Sequence, residues 1–178
     1  MQIISGYANA TSRSKLLEFR LYHLNRPAVK QWRKNCYKLD VADNLIIQLA
    51  ETRQVAAIDC AGWYLTQFGV SVQCVESSNI SKLYFPACLI EPDLMVHRPT
   101  YINDDTVVFF KFPYFLKYCT VQELTSFLEL WCTDIMVLNF FPNFIIHNRL
   151  KYKAIDLIRR LTNLDVREVN KNLWVVRK

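Results

Sequence analysis

Val55-Ala-Ala-Ile-Asp-Cys-Ala-Gly-Trp63, followed by Val70-Ser-Val-Gln-Cys-Val-Glu76, is the stretch that decides how this chain folds. An apolar run ending on an acid, Asp59, reads as a strand. A turn through Gly62 and a helix to Phe68 follow, and a second apolar run ends on another acid, Glu76, 17 residues after Asp59. In nucleotide-binding α/β folds the turn after the first strand lets backbone approach the ligand. An acid at the tip of the second strand accepts hydrogen bonds from ribose hydroxyls. The turn here holds one glycine, and Trp63 stands where small residues are usual.

Downstream, short apolar runs alternate with helix-like segments. The runs at 55–59, 70–75, 93–97, 106–111 and 134–139 read as strands, and 120–132 and 149–162 as helices. Thr120 with Glu123 forms a capping box, and Leu150, Ala154, Ile155, Leu157, Ile158 and Leu161 form one helical face. Strands apolar on both sides and separated by helices imply a parallel sheet covered on both faces. At the end, 164–169 and 173–176 flank Asn170-Lys171-Asn172, which predicts a hairpin and one antiparallel strand.

Upstream, residues 1–54 read as helical. Ser14-Lys-Leu-Leu-Glu-Phe-Arg-Leu-Tyr-His-Leu24 has amphipathic spacing, Pro27 suits the first turn of a second helix, and Asp40 or Asp43 caps a third over 44–52. Residues 55–178 form the α/β core, and the whole chain reads as one domain.

Composition limits the functional classes. The 52% apolar and 21% charged residues are those of a folded globular chain. Three glycines, against about a dozen at average usage, exclude a site built from several glycine-rich loops. Cys36, Cys60, Cys74, Cys88, Cys119 and Cys132 show no metal or disulfide spacing and read as reduced thiols of a cytoplasmic protein. No apolar run is long enough to span a membrane, because Lys111, Lys117, Asn139 and Asn143 interrupt the greasiest ones. His23, His97 and His147 lie far apart, and no nucleophile elbow or Walker loop is present. Residues 1–55 carry a net +5, 56–146 a net −5 and 147–178 a net +6. Basic ends folded onto one face would make a nucleic-acid surface; otherwise they are the solvated side of the domain.

This order of elements resembles the class I S-adenosylmethionine-dependent methyltransferases over roughly residues 40–178. The resemblance implies a three-layer, Rossmann-like sheet in the order 3-2-1-4-5-7-6. It implies S-adenosylmethionine as cofactor, with Asp59 and Gly62 near its methionine part, Glu76 on the ribose and Asp93 or His97-Arg98 near the adenine. Catalytic residues in that family follow the fourth strand, where amine-methylating members carry Asn/Asp-Pro-Pro-aromatic. Here the position is Lys111-Phe112-Pro113-Tyr114-Phe115, or Arg98-Pro99-Thr100-Tyr101 in a second alignment, and neither holds the Asn or Asp. Lys111 and Tyr114 are then the candidates beside the transferred methyl, and a lysine there resembles the hydroxyl-methylating members.

The residues also admit plainer roles. Asp59 and Glu76 could cap helices, Trp63 could be core, and Lys111 could be an exposed snorkelling side chain. The aromatic run Phe140-Phe-Pro-Asn-Phe-Ile-Ile146 is core, a substrate pocket or a partner surface. The expected function is a methyltransferase whose acceptor is a nucleic acid. The alternative is a methyltransferase-like scaffold without catalysis that binds protein or nucleic acid.

Overall fold

The computed structural model describes residues 39–58, 65, 69–77, 88–111, 113, 116, 119–140 and 148–178. The two helices expected within 1–38 lie outside these residues. Seven strands form one mixed sheet: β1 (Val55–Ile58), β2 (Gln73–Glu76), β3 (Leu89–Ile90), β4 (Val107–Lys111), β5 (Ile135–Asn139), β6 (Asp165–Asn170) and β7 (Leu173–Arg177). They lie side by side as β3-β2-β1-β4-β5-β7-β6, the order expected above. β3-β2-β1-β4-β5 pair in parallel, while β7 runs antiparallel to both β5 and β6.

Central strands explain the continuous apolar runs. Every residue of β1, β4 and β5 is buried, because neighbours close both edges and helices cover both faces. Ala57, Phe109 and Val137 face one side with Ala42 and Ile46 of helix α1 (Val41–Ala50). Ile58, Phe110 and Leu138 face the other, with Leu124, Phe127, Leu128 and Trp131 of α2 (Val121–Trp131) and Ile155 and Ile158 of α3 (Asn148–Leu161). On that second side Phe110 meets Phe127 and Trp131 edge-on, each at 5.0 Å between ring centroids. The Trp131 indole N–H donates to the Leu94 carbonyl at 2.6 Å, which satisfies its polar edge inside the core.

Helix ends follow the local chemistry. Asp40 and Asp43 together cap α1: the Asp40 side chain accepts the Asp43 N–H while the Asp43 side chain accepts the Asp40 N–H. Thr120 and Glu123 do the same for α2.

Two expectations are corrected. The third strand is Leu89–Ile90, not 93–97, and the later segment is turns. Pro92 cannot donate to a ladder, the Asp93 N–H is taken by the Glu91 carboxylate, and the Asp93 carbonyl accepts the Val96 and His97 N–H groups. Along α3, Leu161 is exposed rather than part of the apolar face, because it sits on the last turn, beyond the sheet contact made by Ile158. The hairpin forms as expected, with Lys171 and Asn172 at its turn.

Candidate functional site

Sequence order along the sheet reverses direction between β1 and β4. Parallel sheets bind ligands beyond the carboxyl ends of their strands at such a point. Val75 and Phe110 both lie level with Ile58, the last residue of β1, so Glu76 and Lys111 each project one residue further on either side of it. Side chains alternate along a strand. Glu76 follows Cys74 by two and Lys111 follows Phe109 by two, and both predecessors face α1. A carboxylate and an ammonium therefore flank the end of β1 on the α1 side, about two strand spacings or ~10 Å apart.

Glu76 is 1% exposed. Its charge is felt nearby: burial, then Glu76, then Cys88 push the Cys74 thiol far above its ordinary range. The backbone carbonyl of Glu76 accepts the Glu91 N–H at 2.9 Å, so the end of β2 is stitched to the residue that follows β3.

Lys111 is buried, its side chain 3% exposed, which removes the snorkelling role. Its ammonium donates to Asp43 Oδ1 at 2.6 Å and to Asp40 Oδ2 at 2.9 Å. Asp43 is fully buried, whereas the Asp40 side chain is 35% exposed. Burial raises the Asp40 pKa, but the Lys111 charge and hydrogen bond, together with the bonds from Asp43, outweigh it and hold the carboxyl below its ordinary value. The capping box of α1 thus serves twice: it closes the helix and binds the lysine that ends β4. The sequence offered Asp40 or Asp43 as the cap, and the structure uses both. Nothing local announced the second use, because Lys111 lies 68 and 71 residues away.

Beside Lys111, level with it on β5, stands Asn139, only 6% exposed. Its Nδ2 donates to the Asn172 carbonyl at 3.5 Å, while its Oδ1 is buried without a hydrogen-bond partner. Beyond β3, the buried Glu91 carboxylate stands 2.6 Å from His97 Nδ1, where it accepts the ring N–H. Asp93 is exposed in the same turn. Asp59, Gly62, Trp63 and Tyr114 lie outside the described residues. Phe140 is core, edge-on to Trp174 at 4.8 Å, and the rest of that aromatic run lies outside the described residues.

Among the described residues no three His, Cys, Asp or Glu side chains stand together as metal ligands, and no helix is long and apolar enough to cross a membrane. A cavity of about 470 Å³ lies between α1 and the β6–β7 hairpin, lined by Leu45, Leu49, Ile135, Arg167, Val175 and Arg177. It runs along α1 from Val41 to Leu49, and Asn44, Gln48 and Asp165 also line it beside the two arginines. No family model matches this chain, and no curated protein matches its sequence.

Proposed function

We propose that this protein is a Rossmann-like, S-adenosylmethionine-binding protein of the class I methyltransferase type. One observation carries the reading: a buried carboxylate, Glu76, ends β2 beside the point where a sheet of order 3-2-1-4-5-7-6 reverses. A buried carboxylate one strand from the crevice is suited to accept hydrogen bonds from the vicinal hydroxyls of a ribose. The turn after β3, with Glu91, Asp93 and His97, is where a base would lie. The cofactor, when bound, supplies the methyl group and its own leaving group. The chain is asked mainly to bind, align and exclude water. If the acceptor is a nucleic acid, the exposed Arg160, Arg167 and Lys171 of α3 and the β6–β7 hairpin are the charges it would meet.

The second reading is a scaffold of the same type that binds without transferring methyl groups. The burial of Lys111 between two carboxylates favours it, since an ammonium so held is not available as a base.

Calorimetric titration with S-adenosylmethionine and S-adenosylhomocysteine tests the proposal. Micromolar binding is expected, weakened in Glu76→Gln by about 10- to 100-fold, the worth of losing charged hydrogen bonds of ~1.5–3 kcal/mol. No heat and no thermal shift at millimolar ligand would remove the cofactor and the enzyme with it, leaving the scaffold.

A further inference from the structure

We propose that the cavity between α1 and the β6–β7 hairpin binds a singly charged organic acid with an aliphatic chain, its carboxylate held by Arg167 and Arg177. Neither Glu76 nor Lys111 lines this cavity, so the inference stands apart from the cofactor reading.

The two faces of the hairpin are finished differently. Toward α3, Val166, Trp174 and Val176 are fully buried. Toward α1, Val175 is half-buried, while Arg167, Val169 and Arg177 are exposed. The reason is that α1 packs on β1 and β5 and leaves the hairpin beside it open. What remains is a trough about two strands or ~10 Å wide, floored by the hairpin and walled by α1. Its volume of about 470 Å³ is of the size that holds a small ligand.

The wall of this trough is aliphatic. Val41, Leu45 and Leu49 recur every four residues and form one row along α1, about 12 Å from end to end. Val41 and Val169 are two of the six large apolar side chains exposed among the described residues, and both line the trough. Apolar side chains gathered on one concave surface mark a place for apolar contact.

The floor is cationic. Arg177 stands across the hairpin from Asp165, and Arg167 from Val175. The two arginines are therefore diagonal neighbours on one face, with Cα atoms ~7–8 Å apart, and such long side chains can close on one anion between them. Neither guanidinium forms an ion pair or hydrogen bond with a described side chain, Asp165 included. Two open, fork-shaped donors aimed at one place suit a carboxylate.

Charge selects the ligand further. Two arginines against one aspartate leave the lining at +1. That attracts a monoanion, while Asp165 opposes the extra charge of a phosphate monoester, about −1.5 to −2 at neutral pH. Beyond the charged floor the row from Val41 to Leu49 offers no ion to a polar tail. A chain filling its ~12 Å is that of decanoate.

Nitrogen-15 amide spectra are recorded with octanoate, with octanol as the uncharged chain, and with acetate as the charge alone. Octanoate is expected to shift the amides of Leu45, Leu49, Arg167 and Val175, with octanol and acetate each binding about tenfold or more weaker. Affinity should rise by about twofold or more per methylene from hexanoate to decanoate, a fully buried methylene being worth about fourfold. Dodecanoate, longer than the ~12 Å row, should gain less than twofold over decanoate. Arg167→Gln combined with Arg177→Gln should weaken octanoate about tenfold or more and leave octanol unchanged. Both side chains are exposed, and the comparison of octanoate with octanol on the wild type decides the role of charge without the variant. No shift at millimolar octanoate, shifts centred elsewhere, or octanol binding as tightly as octanoate overturns the proposal. Wild-type octanoate affinity in the double variant overturns it equally.

Discussion

Replacing Lys111 by Met would strand the carboxylates that the lysine holds. Methionine keeps most of the buried stem and deletes the ammonium, so the perturbation is mainly electrostatic. The Asp43 carboxylate, with no exposure, keeps the bond from the Asp40 N–H but loses its 2.6 Å partner. Removing one member of a buried pair costs about 3–5 kcal/mol. Asp40 adds little, because its side chain is partly in water, where such pairs are worth much less. At roughly 2–4 °C per kcal/mol for a chain of this size, the midpoint of thermal unfolding should fall by about 6–20 °C at neutral pH. The sign with acid is also fixed. The folded Asp40 pKa lies below 3.8, so its stabilisation is present above that pH and disappears as pH falls through the lowered value. Without Lys111 the carboxyls take protons at higher pH and the charge problem relieves itself, so the gap between the two proteins should narrow on acidification. Thermal melts followed by circular dichroism at pH 7 and about pH 4.5 measure both effects. A drop under ~2 °C at neutral pH, or a gap that stays constant with acid, would refute the reasoning. Combining Lys111→Met with Asp43→Asn should recover part of the loss, because the stranded charge is then gone.

Three further outcomes follow from the packing. Gly69 has φ of 79° with open space where a β-carbon would go, so Gly69→Ala should cost about 1 kcal/mol from backbone strain alone, read as a shift in urea midpoint with unchanged slope. Trp131→Phe deletes the indole N–H that serves the Leu94 carbonyl and trims a fully buried ring, so a loss of about 2–3 kcal/mol is expected in the same assay. A loss near zero would show that the Leu94 carbonyl finds another donor. Cys74, Cys88 and Cys132 are buried free thiols, and burial pushes the Cys132 pKa to about 11 against the opposing pull of Lys178 and Arg98. Peptide mapping after brief N-ethylmaleimide treatment at pH 7.5 should find these three unmodified in folded protein and labelled in urea; early labelling of any of them contradicts its burial.

The sequence by itself determined the sheet and its covering helices. Continuous apolar runs did this for Val107–Phe110 and Ile135–Leu138, because strands covered on both faces are apolar along their length up to the carboxyl end. Local chemistry did it for the helix start at Thr120 and the turn at Lys171, because caps and turns are settled within four residues; for the earlier helix it left Asp40 and Asp43 as alternatives, and the helix starts after Asp40. The third strand was misplaced for the same reason: only two residues of β3 pair with β2, too few for a period, while the apolar 93–97 segment mimicked a strand that Pro92 and the Asp93 turn prevent. At the site, Glu76 and Lys111 were legible as the ends of strands. Their surroundings were not. Whether Lys111 met water or carboxylates depended on where α1 came to rest, a contact spanning about 70 residues of chain. The alignment of Lys111 with Asn139 depended on the register of β4 against β5. Spacing along a chain cannot encode which distant charges become neighbours. Only the tertiary structure decided that the helix cap and the strand end would share one buried ion cluster.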